Sequence, residues 1–151
     1  MRVALCVCIL SILINFSVLS TVEAGEGNRY ISEAIDAAEQ GNCSRAFSLL
    51  DEAKKIRSKD FTTYFVIGTT YVRCNNPEQA KQYFKKGLKL AKQMSVQDEY
   101  IKGNMAVSYA FLGEFRNAKI LAEEAKILFI KSGDTKRAND MNRLILSLQN
   151  R

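Results

Sequence analysis

Histidine and tryptophan are absent from the 151-residue sequence, and proline occurs once. Without an imidazole, the chain has neither a histidine-containing zinc site nor a serine–histidine triad, and histidine acid–base chemistry is excluded. Strand-like alternation is also missing beyond residue 24, where apolar residues recur instead at helical spacing. The sequence therefore predicts an all-α domain without histidine chemistry.

Other catalytic signals are equally scarce. The acidic pairs are adjacent in sequence, and neighbours on a helix point about 100° apart, so none forms a paired acid site by itself. These pairs are Asp51/Glu52, Asp98/Glu99 and Glu123/Glu124. The glycines are scattered and form no phosphate-binding loop. We expect no catalytic residue, no cofactor and no metal, and hence a protein that is not an enzyme; a reactive Cys43 or Cys74 thiol would contradict this.

The net charge of +6 is moderate and is spread along the chain without a block of lysine and arginine. This distribution argues against nucleic acid as a partner. A stripe of lysines on one predicted helix has two interpretations: a solvated outer face, which we favour, or a contact with an acidic partner or anionic lipid. The stripe consists of Lys81, Lys85, Lys86, Lys89 and Lys92.

The N-terminal segment has the order of a secretory signal. Arg2 precedes an apolar stretch from Val3 to Ser20, and Val22 and Ala24 suit cleavage after Ala24. Residues 1–24 are therefore predicted to be a signal peptide, and the mature protein to be exported, in a bacterium to the periplasm. Because the stretch is long for a signal peptide, the alternative is an uncleaved anchor that holds the domain at the inner membrane, outside the cytoplasm.

Cleavage would change the cysteine count. Cys6 and Cys8 would leave with the signal peptide, and Cys43 and Cys74 would remain. An even number of cysteines in an oxidising compartment favours a disulfide between the two. Two free, buried thiols are the alternative.

A pattern of small residues repeats along the predicted domain. The segments that begin at Tyr30 and Tyr64 align at an offset of 34 residues, and a third copy follows from Lys102. Small residues fall in equivalent slots of the three copies: Ala34, Gly68 and Ala106; Ala46, Ala80 and Ala118; Ala53, Gly87 and Ala125. Turn residues that tolerate a left-handed backbone fall at Gly41, Asn75 and Gly113.

A 34-residue period of paired helices with small residues at their contacts resembles the tetratricopeptide repeat. The resemblance implies a right-handed α-solenoid of about three helix–turn–helix units, at residues 27–60, 61–94 and 99–132, within a domain of residues 25–151. The chain departs from the family pattern by lacking its tryptophan and the proline that usually closes each repeat.

A final helix at about residues 134–149 would close the exposed end of such a stack. Its apolar face consists of Ala138, Met141, Leu144, Ile145 and Leu148. Its polar face is predicted to carry Lys136, Arg137, Asp140, Asn142 and Arg143.

The resemblance also implies a concave groove, lined by the first helix of each pair, that binds a protein or peptide. The residues predicted for this groove are Ile31, Ile35, Phe65, Thr69, Val72, Tyr100, Asn104, Val107 and Phe111. One branch of the family binds peptide carboxylates with a set of lysine, asparagine and arginine side chains. In this sequence Asn104 is the only groove residue that suggests such a set. The apolar character favours a helix or an apolar peptide. The alternative is that the chain's own ends or a second copy cover the stripe.

The repeat register places Cys43 at the start of one helix and Cys74 at the end of its antiparallel neighbour, within disulfide reach.

The predicted function is a non-enzymatic scaffold for protein–protein contact in the cell envelope, in a setting such as assembly of a secretion, pilus or polysaccharide-export complex. The alternative function is a membrane-tethered structural protein that acts by self-association.

Overall fold

The structure is a computed structural model that describes residues 25–95 and 98–149. The predicted signal peptide lies outside these residues. Within the described ranges the chain forms seven helices and no strand, which confirms the helical fold class. The helices are α1 (Glu26–Glu39), α2 (Cys43–Ile56), α3 (Phe61–Arg73), α4 (Pro77–Ala91), α5 (Glu99–Leu112), α6 (Phe115–Ser132) and α7 (Thr135–Ser147).

Side-chain caps set the first residue of most helices. An oxygen of a preceding Asp or Asn side chain accepts a backbone N–H of the first turn, which would otherwise lack a partner. Asp60 accepts from Thr62 and Thr63 at the start of α3, and Asp98 accepts from Ile101 at the start of α5. Asn42, Asn76 and Asp134 act in the same way at α2, α4 and α7.

The turns that separate paired helices use the predicted residues. Gly41, Asn75 and Gly113 all have a positive φ, of 76°, 56° and 83°. Asparagine and glycine accept this left-handed backbone at low cost, which ends one helix and reverses the chain. Gly133 provides a fourth such turn between α6 and α7.

The chain divides into two compact units at about residue 90. In the first unit α1 packs against α2, and α3 packs against both of them. Ala34, Leu50, Ala53 and Ile67 belong to the core where these helices meet. The contact between α3 and α4 is close, since a Cβ added at Gly68 would lie 2.7 Å from the ring of Phe84.

Four aromatic rings stack in series on the first unit. Phe47 of α2 lies 4.3 Å from Tyr71 of α3, centroid to centroid, and Tyr71 lies 5.3 Å from Tyr83 of α4. Tyr64 continues the series at 6.4 Å from Tyr83. The stack therefore ties three successive helices together. Within it, burial is the main cause that raises the pKa of the Tyr71 hydroxyl, and the electrostatic effect of Tyr83 raises this pKa further.

The second unit contains α5, α6 and α7, with α6 packed against both of the others. Alanines allow this close approach: Ala118, Ala122 and Ala125 of α6 are fully buried. Phe129, also fully buried, meets Tyr100 edge to face with the centroids 5.3 Å apart. Lys102 of α5 pairs with Glu124 of α6, and Lys126 donates to Asn142 of α7 at 2.7 Å.

The prediction of a polar face on the last helix, α7, was wrong at one position. Asp140 is completely buried, and one of its oxygens accepts a hydrogen bond from the guanidinium of Arg143. That ion pair, one turn along the same helix, partly compensates the burial of the carboxylate. The predicted apolar face is buried: Ala138, Met141, Leu144, Ile145 and Leu148.

Candidate partner-binding surface

The first unit carries five of the predicted groove residues, on α1 and α3, and these two helices pack against each other. We call them the α1–α3 surface: Ile31, Ile35, Phe65, Thr69 and Val72. Ile31, Phe65 and Val72 are buried, whereas Ile35 and Thr69 are half-buried. The two half-buried side chains are therefore the most accessible members of the surface.

Packing explains the differences in exposure along α3. The ring of Phe65 lies 6.0 Å from that of Phe84 and 6.3 Å from that of Phe61, so Phe65 forms part of the contact between α3 and α4. The Thr69 hydroxyl donates to the carbonyl of Val66 at 2.8 Å, which satisfies its polar group within the helix. Thr69 thus leaves its methyl group as the part that can contact an apolar partner.

The other predicted groove residues belong to α5 of the second unit. Tyr100 and Phe111 are half-buried, and Asn104 and Val107 are buried. The guanidinium of Arg137 lies 5.0 Å from the Tyr100 ring centroid, an arrangement that favours the cation over the ring face. Among the described residues, no group donates to the buried Oδ1 of Asn104.

The structure contains the predicted disulfide between Cys43 and Cys74. Cys43 is the first residue of α2, and Cys74 follows the last residue of α3, with the two Cα atoms 5.9 Å apart. The bridge lies one turn from the stacked rings of Phe47 and Tyr71. It therefore joins the same two helices that the aromatic stack joins.

The predicted lysine stripe is split between different contacts. Lys81 pairs with Glu78 at 2.7 Å, and Lys86 lies 4.6 Å from the ring centroid of Tyr64. A hydrogen bond with Tyr109 is the main cause that raises the pKa of Lys92. Lys85 and Lys89 are exposed. The stripe is therefore interrupted by local pairing.

Within residues 25–95 and 98–149, no three His, Cys, Asp or Glu side chains come together as metal ligands would. The acidic pairs at residues 51/52 and 123/124 include carboxylates that are bound to lysines. Asp51 binds Lys54 and Glu52 binds Lys55, each at 2.6 Å, and Glu124 binds Lys102. In the same part of the chain, none of the helices combines the length and apolar character needed to cross a bilayer.

Residues 61–94 match the family model described as "Tetratricopeptide repeat". This segment of the chain is similar to a tetratricopeptide repeat. The matched range has the same bounds as the second predicted repeat and contains α3, the turn at Asn75 and α4. No curated protein matches the chain. Repeats of this kind serve as scaffolds for protein–protein contact, which is the coarse function that the matched segment suggests.

Sequence reasoning also missed two features near these surfaces. The Arg137–Tyr100 contact joins residues 37 positions apart, and no local pattern indicates it. The exposed isoleucines of α6 could have been found, because Ile120 and Ile127 are seven residues apart on the side opposite the buried alanines.

Proposed function

We propose that the protein is a non-enzymatic scaffold whose α1–α3 surface binds an apolar helix or an apolar peptide of another protein. The observation that carries the proposal is the tetratricopeptide-repeat match over the helix pair α3 and α4. The half-buried side chains of Ile35 and Thr69 support an apolar partner. The accessible groups on this surface are the aliphatic side chain of Ile35 and the methyl group of Thr69.

We further propose that the protein acts outside the cytoplasm, as an exported protein of the bacterial envelope. The Cys43–Cys74 disulfide supports this compartment, because structural disulfides persist in oxidising environments. Assembly of an envelope complex, such as a secretion, pilus or polysaccharide-export machine, is the setting we propose. The mass of the accumulated protein tests the location: a chain that begins at Gly25 supports export with cleavage, and an intact residue 1 supports the tethered alternative.

Two substitutions in the same repeat test the binding surface. Thr69→Arg places a long cation on the α1–α3 surface, and Gln82→Arg places the same side chain at an exposed position of α4. Each variant is expressed from the full-length sequence and used to capture proteins from envelope extract. We expect Thr69→Arg to lose the captured partner and Gln82→Arg to retain it.

Circular dichroism melting of both variants accompanies the capture and separates lost binding from lost folding. Equal capture by wild type and the correctly folded Thr69→Arg variant would refute binding at the α1–α3 surface. Loss of the partner in both variants would refute it as well, because the effect would then follow the added charge rather than its position.

A further inference from the structure

The outward side of α6 exposes an apolar surface that the proposed function does not use. Ile120, Ile127 and Ile130 are 47%, 54% and 56% exposed. Leu146 of the adjacent helix α7 is 53% exposed, so large apolar side chains are concentrated on this helix pair. Single exposed apolar residues are ordinary, but a group on neighbouring positions indicates a contact surface.

Helical geometry places these side chains opposite the core. The buried side of α6 is defined by Ala118, Ala122 and Ala125. At about 100° per residue, Ile127 lies about 180° from Ala118, and Ile120 lies within about 20° of Ile127. The two isoleucines are therefore two turns apart at the centre of the outward side.

Two charges flank Ile127 along the same ridge of the helix. Glu123 lies four residues before it and Lys131 four residues after it, and both side chains are exposed. Neither has an ion-pair partner within the described residues. By contrast, Glu124 is paired with Lys102, and Lys126 donates to Asn142. The charges one turn before and one turn after Ile127 on this ridge are thus one acid and one base at equal distances from it.

We propose that this outward side of α6 is a homodimer interface, in which two copies pack antiparallel about a two-fold axis at Ile127. A two-fold interface must be self-complementary. The row Glu123, Ile127, Lys131 meets that condition, because in an antiparallel second copy the acid and the base exchange places. Each Glu123 then lies opposite the second copy's Lys131, and the two Ile127 side chains meet at the axis. The occupant of the apolar surface is therefore a second copy of this chain.

The charges also select the register. Sliding the helices to place Ile120 opposite the second copy's Ile127 would bury more apolar surface. That register, however, sets Arg116 against Lys131 and separates Glu123 from the second copy's Lys131, and like charges across an interface disfavour it. A few isoleucines give a contact at the small end of specific interfaces, below about 1,200 Å². The dimer should therefore form at high protein concentration and dissociate on dilution.

Sedimentation equilibrium of the purified protein, expressed from the full-length sequence, tests the interface over a wide concentration range. We expect Ile127→Asp to abolish the dimer. Ile56→Asp is the matched control, because Ile56 on α2 is exposed to the same 54% and should leave the dimer unchanged. Glu123→Lys and Lys131→Glu should each raise the dissociation constant about tenfold or more, as opposed like charges do. The double variant Glu123→Lys/Lys131→Glu should restore dimerisation.

A wild-type protein that remains monomeric throughout the range would overturn the proposal. So would a dimer that tolerates Ile127→Asp, or charge reversals whose losses are not recovered in the double variant. Thermal melting of each variant confirms that the fold is retained. Thr69→Arg should dimerise like wild type, so that failure of this interface and failure of partner binding at the α1–α3 surface can be told apart.

Discussion

The ring of Phe84 occupies the space that a side chain at Gly68 would need. A Cβ at Gly68 would lie 2.7 Å from Cε1 and 2.8 Å from Cδ1 of that ring. Phe84 is fully buried, so its ring has little freedom to move away. The close approach of α3 and α4 therefore depends on a glycine, although the equivalent slots of the other two helix pairs hold Ala34 and Ala106.

Two glycine-to-alanine substitutions test this relationship. Gly68→Ala should lower the free energy of unfolding by about 1 kcal/mol, since an overpacking cost of about 1–3 kcal/mol exceeds the helix-propensity gain of about 1 kcal/mol. Gly87→Ala is the matched control: its Cβ would lie 3.5 Å from Phe61 and Tyr64, an ordinary contact. It should raise stability by up to about 1 kcal/mol.

Urea unfolding of both variants, followed by circular dichroism, measures these changes. The opposite signs are the essential result, because both substitutions add one methyl group to a helix of the same repeat. Stabilisation by Gly68→Ala would show that the Phe84 ring moves aside without cost.

Residue types predicted the turns and the close helix contacts where local chemistry decides them. The left-handed turns follow from Gly41, Asn75 and Gly113, because few other residues accept that backbone. The buried small-residue slots follow from repetition, as at Ala46, Ala80 and Ala118. Both predictions need only the type of one residue and the types of the residues at the equivalent positions of the other repeats.

Long-range packing limited what the sequence could predict. A carboxylate on a helix is normally solvated, so the pattern placed Asp140 on the polar face, and its burial beside Arg143 was not foreseen. The predicted groove positions were assigned from the family alone. Their exposure differs because Phe65 contacts two other rings, whereas Thr69 is satisfied by its own helix.

The disulfide should stabilise the first unit by constraining the unfolded chain. Cys43 and Cys74 are 31 residues apart, and a loop of that length corresponds to about 3–4 kcal/mol on the chain-entropy model. Denaturant unfolding with and without reductant should show a loss of this order. A Cys43→Ser/Cys74→Ser variant should have the reduced stability under both conditions.

Thiol labelling in denaturant provides the chemical control for this prediction. Without reductant, Cys43 and Cys74 should remain unlabelled, and peptide mapping should recover them as one linked pair. Quantitative labelling of both cysteines before reduction would show that the bridge is absent.

The buried carboxylate of Asp140 should make Arg143 important despite the exposure of the arginine. The Arg143 side chain is 56% exposed and the Asp140 side chain is 0% exposed. Removing the guanidinium in Arg143→Ala leaves the carboxylate buried without its partner, which should cost about 1–3 kcal/mol of unfolding free energy. The measurement is urea unfolding near neutral pH.

A double-mutant cycle separates the pair from its surroundings. The variant Asp140→Ala/Arg143→Ala should be more stable than Arg143→Ala alone, because it removes the uncompensated charge together with its partner. If the double variant is less stable than Arg143→Ala alone, the charge of Asp140 is not the cause of the loss.

The cap of α7 should give the protein a dependence on acid pH. Burial alone would raise the pKa of Asp134, but hydrogen bonds from the backbone and guanidinium of Arg137 outweigh it and hold the pKa below the ordinary value of 3.8. The ionised carboxylate is therefore favoured in the folded state. Its contribution is present above the unfolded-state pKa and is lost as the pH falls through the lower, folded-state pKa.

Asp134→Asn isolates this contribution, because asparagine retains a capping oxygen but does not titrate. The wild type should exceed this variant in unfolding free energy by about 1 kcal/mol at neutral pH, as expected for a charged cap near a helix N-terminus. The difference should shrink as the pH is lowered below 3.8. Denaturant unfolding at a series of pH values measures it, and a difference that stays constant down to the acid limit would show that the charge of Asp134 does not stabilise the α7 cap.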